Sequence, residues 1–252
     1  MPPIAVGLIV FVCLFGAALL GMFLRARVPV DYLSAESKDV VKLAMGLIAT
    51  MAALVLGLLT ASAKASFDTW NNEIKQSAAS VIVLDRTLAH YGPETKEVRD
   101  LIRAAVAVRI AQTWPEDRSQ SETFDSSRTQ AVEDIEDRIQ ALAPQNDSQR
   151  ALQSKALAIM GELLGARWLL LTQAGNATPL LFLVILVFWL SVLFATFGLF
   201  APPNTTVVAA LFFCALSVAG STFLILEMDH PLEGMLKVSS APLRYALAHL
   251  GQ

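Results

Sequence analysis

Gly46, Thr50, Ala53, Gly57, Thr60 and Lys64 follow one another at alternating steps of four and three, inside a stretch that carries no charge until the lysine. On a helix that spacing places all six on one edge. The neighbouring Leu47, Ile48, Leu54, Val55 and Leu58 are bulky. Two kinds of chemistry suit such an edge. One is close helix packing, which inside membranes uses small residues four apart. The other is a narrow, weakly polar lining for the passage of ions, with Lys64 at its mouth. One helix edge cannot enclose a conduit, so the second requires several copies of the chain around a common axis.

A second group stands near the C-terminus, where Glu227, Asp229, His230, Pro231, Glu233 and Gly234 follow an apolar run. Three acids and a histidine at that place suit cation binding or a charged ring at a pore exit. They equally suit a helix end at the membrane surface, with Pro231 as the stop and the charges solvated. A second cluster of His, Cys or carboxylates is missing, so no metal site and no cofactor is expected. Cys13 and Cys214 are far apart with no CxxC pair, and read as small apolar packing residues. The chain has three histidines and lacks a nucleophile elbow, a P-loop, a Gly-rich dinucleotide turn and an HExxH helix. Catalysis is therefore not expected.

The elements that must position these residues follow from charge distribution. Of 252 residues, 55% are apolar and 16% charged, against roughly 25% charged in a typical soluble domain. No Asp, Glu, Lys, Arg or His occurs in residues 1–24, 43–63 or 168–226. Uncharged apolar runs of this length read as membrane spans. They exclude a wholly soluble enzyme, a secreted disulfide scaffold and a disordered chain. The last run is divided by Ala201-Pro202-Pro203-Asn204, a helix stop and turn. Four spans result, at about 4–24, 43–63, 179–200 and 207–226, each ~30 Å long and matched to the hydrocarbon core. Thr178 and Pro179 are the expected cap and first position of the third. Residues 1–6 lack Lys and Arg, so the first run reads as a retained span and not as a signal peptide.

Residues 64–177, between the second and third spans, hold 13 basic and 16 acidic side chains without like-charge blocks. That balance points away from nucleic acid. The segment reads as a soluble helical bundle inserted into an all-α membrane protein. No proline occurs between Pro29 and Pro93, so one helix is expected from Asp39 to Tyr91, ending at Gly92-Pro93. Its projecting part carries Phe67, Trp70, Ile74, Ala78, Val81, Leu84 and Leu88 on one face. A second helix is expected from Pro93 to Thr113. A third is capped by Asp125 or Ser126, carries Val132, Ile135, Ile139 and Leu142, and stops at Pro144. A fourth starts at Asp147 or Ser148 and carries Leu152, Leu157, Met160, Leu164, Trp168 and Leu171. Trp70 and Trp168 suit either anchors at the membrane surface or contacts inside the bundle. Residues 178–228 form the second transmembrane hairpin and 229–252 an interfacial tail. Basic residues flank both sides about equally, so charge does not orient the chain. An even number of spans puts both termini and the bundle on one side.

Several stretches resemble a bacterial membrane family of bestrophin-like domain proteins. They are Ser34-Ala35-Glu36-Ser37-Lys38-Asp39-Val40-Val41-Lys42-Leu43, Gly46-Leu47-Ile48-Ala49-Thr50 and Ala63-Lys64-Ala65-Ser66-Phe67-Asp68. The closing motif Leu226-Glu227-Met228-Asp229-His230-Pro231-Leu232-Glu233-Gly234, with Val238-Ser239-Ser240-Ala241-Pro242-Leu243 after it, also resembles that family's. Its usual form is Leu-Asp-Leu-Asp-Arg-Pro-Phe-x-Gly, so His230 stands where arginine is usual and Leu232 where phenylalanine is. The resemblance to bestrophins implies a homo-oligomeric channel for inorganic ions, pentameric in that family, with the second span lining the pore. It also implies a cytoplasmic bundle and residence in the bacterial inner membrane. The run of consecutive acids that forms a calcium clasp in animal bestrophins is absent, and calcium gating is not implied. Bulky apolar neck residues are missing from the small edge. The alternative expectation is a non-conducting scaffold or sensor in the lipid bilayer, whose bundle binds a soluble protein partner.

Overall fold

A computed structural model describes residues 2–25, 27, 35–114, 127–173, 180–202, 204–232 and 234–252. Among these every regular element is helical: α1 (Pro3–Arg25), α2 (Ala35–Tyr91), a 3-10 turn (Pro93–Thr95), α3 (Lys96–Thr113), α4 (Ser127–Gln140), α5 (Asp147–Gln173), α6 (Leu180–Phe200), α7 (Thr205–Met228) and α8 (Ala241–His249). Four of them, α1, α2, α6 and α7, are long and apolar enough to cross a membrane. The chain forms two units, Met1–Phe67 with Asn176–Leu236, and Asp68–Gly175 with Lys237–Gln252.

In the first unit α1 packs on both α6 and α7. Its buried face is Val10, Leu14 and Ala18, set against Phe194, Leu211, Ala215 and Ala219. The crossing of α1 and α6 depends on two glycines. A Cβ placed on Gly21 would lie 1.9 Å from the Ala195 carbonyl oxygen, and one on Gly198 would lie 2.0 Å from that of Ala18. The backbones therefore touch, which only residues without a side chain allow. Phe212 meets Phe11 and Phe15 edge-to-face, with ring centroids 5.3 and 5.5 Å apart. The α6–α7 turn is held at both ends. The Asn204 side chain accepts a hydrogen bond from the Val207 N–H at 2.9 Å, a helix N-cap, and the Arg25 guanidinium donates to the Ala201 carbonyl. That cap starts α7 two residues earlier than the apolar pattern alone predicts. Cys13 and Cys214 are exposed on the surface of the chain, so neither packs inside it. This corrects the expectation drawn from their apolar neighbours, because in a span the outer faces are apolar too.

In the second unit the expected face of α2 is inside: Ile74, Ala78, Val81, Leu84 and Leu88 are all buried and Trp70 half-buried at its start, while Phe67, the last residue of the first unit's part of α2, is half-buried too. The helix ends where expected, at Gly92, whose φ of 147° suits a residue without Cβ. Val98, Ile102, Val106 and Ile110 form the buried face of α3, which packs on α4 and α8, and α4 packs on α5. The cap residues expected for α4, Asp125 and Ser126, lie outside the described residues, as do Thr178 and Pro179. The helix stops at Gln140, four residues before Pro144. Gln153 explains this early end, since its carboxamide donates to the Ile139 and Leu142 carbonyls at 2.9 Å each and satisfies the helix terminus. Asn146 caps α5, accepting the Gln149 N–H at 2.8 Å. Trp168 is 56% exposed, so its indole is not buried inside the second unit. Residues 241–249 form α8, with Leu243, Ala246 and Leu250 buried; the stretch is too short for periodicity to announce it. Trp114 Nε1 ties this segment down by donating to the Val238 carbonyl at 2.7 Å.

The polar centre of the second unit is Asp85, 1% exposed. Its carboxylate accepts from Arg99 Nε at 2.8 Å and Nη2 at 3.0 Å, and from the Gly251 N–H at 3.3 Å. Arg99 and Arg86 both donate to the Gln252 main-chain oxygen, at 3.1 and 2.9 Å. The hydrogen bonds to Asp85 raise the Arg99 ionisation above its ordinary value against the opposing effect of burial. The Tyr91 hydroxyl, in contrast, is buried with no hydrogen-bond partner among the described residues. Tyr91→Phe removes a desolvated hydroxyl and is expected to leave stability unchanged or raise it by up to ~1 kcal/mol. Denaturation midpoints of the two proteins check this; a clear loss would mean that the hydroxyl is satisfied in solution.

Candidate functional site

Within the first unit α2 makes one apolar contact surface. Ala52, Leu59 and Ala63 are buried against Leu186 and Ile225, with Val55, Leu56, Trp189, Leu190 and Met228 around them. Every residue of the small edge lies elsewhere on the helix: Gly46, Thr50, Ala53, Gly57, Thr60 and Lys64 are all exposed. At 100° per residue the edge is centred about 120° around α2 from the packed face. Cβ atoms added at Gly46 or Gly57 would meet nothing within 4 Å. The glycines of this edge thus make no packing contact with the described residues, unlike Gly21 and Gly198. Leu43, Leu47, Leu54 and Leu58, 64–78% exposed, form a third, bulky face.

The hydroxyls of the edge are turned back on their own helix. Thr50 Oγ1 donates to the Leu47 carbonyl and Thr60 Oγ1 to the Leu56 carbonyl, both at 2.8 Å. Each proton is thereby occupied, and what the edge offers outward is the oxygen lone pairs. Lys64 Nζ lies 5.8 Å from the centroid of the Phe67 ring, within reach of a cation–π contact.

The group after the fourth span divides in two. Glu227 is 2% exposed and turns inward. Its Oε2 accepts the N–H groups of Met235 at 2.6 Å and Leu236 at 3.2 Å. The loop that carries these donors returns through Gly234, at φ 85°, where a Cβ would lie 2.4 Å from the same Oε2. Pro231 is buried, Asp229 half-buried and His230 exposed; Glu233 lies outside the described residues. Glu227 and Gly234 are therefore brought together, while His230 is not part of that contact. Among the described residues no three His, Cys, Asp or Glu side chains are placed to hold a metal ion. The inward turn of Glu227 is not visible in a motif where three acids and a histidine stand together at a helix end. The one available signal was Gly234, a glycine seven residues on, where a loop must pass close to another atom.

Four spans, one of them with an exposed edge of small residues, describe an integral membrane protein. The Bestrophin-like domain model matches residues 12–243, and the chain belongs to this family. A crystal structure of a bacterial bestrophin homologue from Klebsiella pneumoniae, a point mutant, has the same fold. Its TM-score is 0.67 at 15% identity, covering 95% of this chain and 99% of that one. A second point mutant of a homologue from the same organism matches at TM-score 0.64 and 14% identity, over 94% and 98% of the two chains. No curated protein matches the sequence.

Proposed function

We propose that this protein is one subunit of a homo-oligomeric ion channel of the bestrophin-like kind, without enzymatic activity, whose pore is lined by α2. The observation that carries the reading is the orientation of the small edge. Gly46, Thr50, Ala53, Gly57, Thr60 and Lys64 are exposed and away from the face that meets Leu186 and Ile225. An edge facing its own neighbouring spans would leave a pore without walls. Membership of the family and the shared fold support the same reading. In this arrangement the first unit spans the bacterial inner membrane, and the second unit is a soluble bundle on the cytoplasmic side. The threonine oxygens would give passing ions a weakly polar surface, and Lys64 would stand at one mouth.

The test is reconstitution of the purified protein in a planar bilayer, where discrete conductance steps are expected. Thr50→Leu and Gly57→Leu each put a bulky side chain on the edge at a position free within the chain. Each is expected to cut current at least about tenfold while leaving the oligomer intact. A silent bilayer with verified insertion, or full current in both variants, would count against the proposal.

A further inference from the structure

Glu227 occupies an unfavourable place. It is a buried carboxylate in the last turn of α7, where the helix already presents the negative ends of its peptide dipoles. A charge there is tolerated when donors are supplied. The Met235 and Leu236 N–H groups supply them, at 2.6 and 3.2 Å on one oxygen. The approach is close enough that a side chain on Gly234, already disfavoured at φ 85°, would push that oxygen and the loop apart. Two residues before Glu227, Ile225 is buried in the cluster that holds Ala52, Leu59 and Ala63 of α2, and one residue after it Met228 packs on the same cluster. The carboxylate thus fixes the final turn of α7 at the point where that turn bears on α2.

We infer that Glu227 is a positioning residue for the proposed pore helix: by fastening the 234–236 loop it holds the end of α7, through Ile225 and Met228, against the packed face of α2. The effect on conduction rests on the reading of α2 as the pore lining, while the contact itself does not. Glu227→Gln keeps the shape of the side chain and removes its charge. Gly234→Ala leaves the acid in place and forces the loop off it.

The experiment is amide hydrogen exchange on the full chain in lipid nanodiscs, together with ion flux from liposomes. In both variants the amides of 234–236 are expected to exchange about tenfold faster. Exchange in residues 59–67, which carry Leu59 and Ala63, is expected to rise several-fold. Exchange in 96–113 should stay unchanged, which separates release of the loop from general unfolding, and flux should fall in proportion to the change at 59–67. Faster exchange in 234–236 alone would make Glu227 a local cap and overturn the inference, as would no change in either stretch. A wild-type protein that carries no flux would defeat the channel proposal, while the exchange result would still decide this one.

Discussion

Asp85→Ala is expected to destabilise the second unit by about 3 kcal/mol, toward the lower end for removing one partner of a buried ion pair. The carboxylate is 1% exposed and accepts three hydrogen bonds, two from Arg99 and one from the Gly251 N–H. Its removal leaves the guanidinium without its hydrogen-bonded counter-charge and the amide without that acceptor. The lower end applies because the Arg99 side chain is 17% exposed and can draw some compensation from water. Chemical denaturation of the full chain gives the size, and exchange at Gly251 gives the place: its amide should lose protection before those of α8. Arg99→Leu in the same background should cost much less than it does alone, because two partners of one contact do not add. Arg99 contributes its stabilisation wherever it is charged. Because its ionisation is raised in the folded state, that contribution would be lost only as pH rises far into alkali, beyond any working range. An Asp85→Ala deficit that vanishes at pH 8 would contradict this assignment.

Gly198→Ala is the second large effect. The added methyl carbon would sit 2.0 Å from the Ala18 carbonyl oxygen, and the Met22 nitrogen is 3.0 Å away. Both belong to backbone, and neither can turn aside as a flexible side chain would. The helices α1 and α6 must separate, which also loosens Leu14, Ala18 and Phe194 at their interface. About 3 kcal/mol is expected, the upper part of the range for overpacking, with a matching loss in the amount of folded protein recovered in detergent. Gly21→Ala presents the same clash from the opposite helix, at 1.9 Å from the Ala195 oxygen. Gly57→Ala meets no atom within 4 Å and serves as the comparison. Equal losses at Gly198 and Gly57 would mean that helix–helix contact is not what the glycine provides.

Much of this fold is legible in the sequence because hydrocarbon and water impose different rules. Uncharged runs give the spans, and Pro202 with Asn204 divides the last of them. Ile74, Ala78, Val81, Leu84 and Leu88 mark the inner face of α2 in the second unit, where only one side of a helix is apolar. In the first unit that logic fails. Ala52, Leu59 and Ala63 are buried and Leu47, Leu54 and Leu58 exposed, the larger apolar side chains facing outward, since a helix in lipid is apolar all round. For the same reason Gly21 and Gly198 could not be told from Gly46 and Gly57: small residues on spans mark backbone contact in one place and open surface in another. Glu227 was hidden for a different reason. The rule that acids lie outside describes most carboxylates, and only the three-dimensional return of Met235 and Leu236 shows where this one finds its donors.

The packing of α2 also sets an order of events during synthesis. Its buried residues Ala52, Leu59 and Ala63 meet Leu186 and Ile225, and the nearer of these follows Ala63 by 123 positions. At ribosomal rates that is an interval of about 6–25 seconds. Throughout it, α2 resides in the bilayer before those neighbours exist. Only 11% of its most apolar stretch is covered in the finished chain, against 28% for each of the other three spans. Retention of α2 during that interval draws nothing from α6 or α7, and docking onto them comes as a late step of biogenesis.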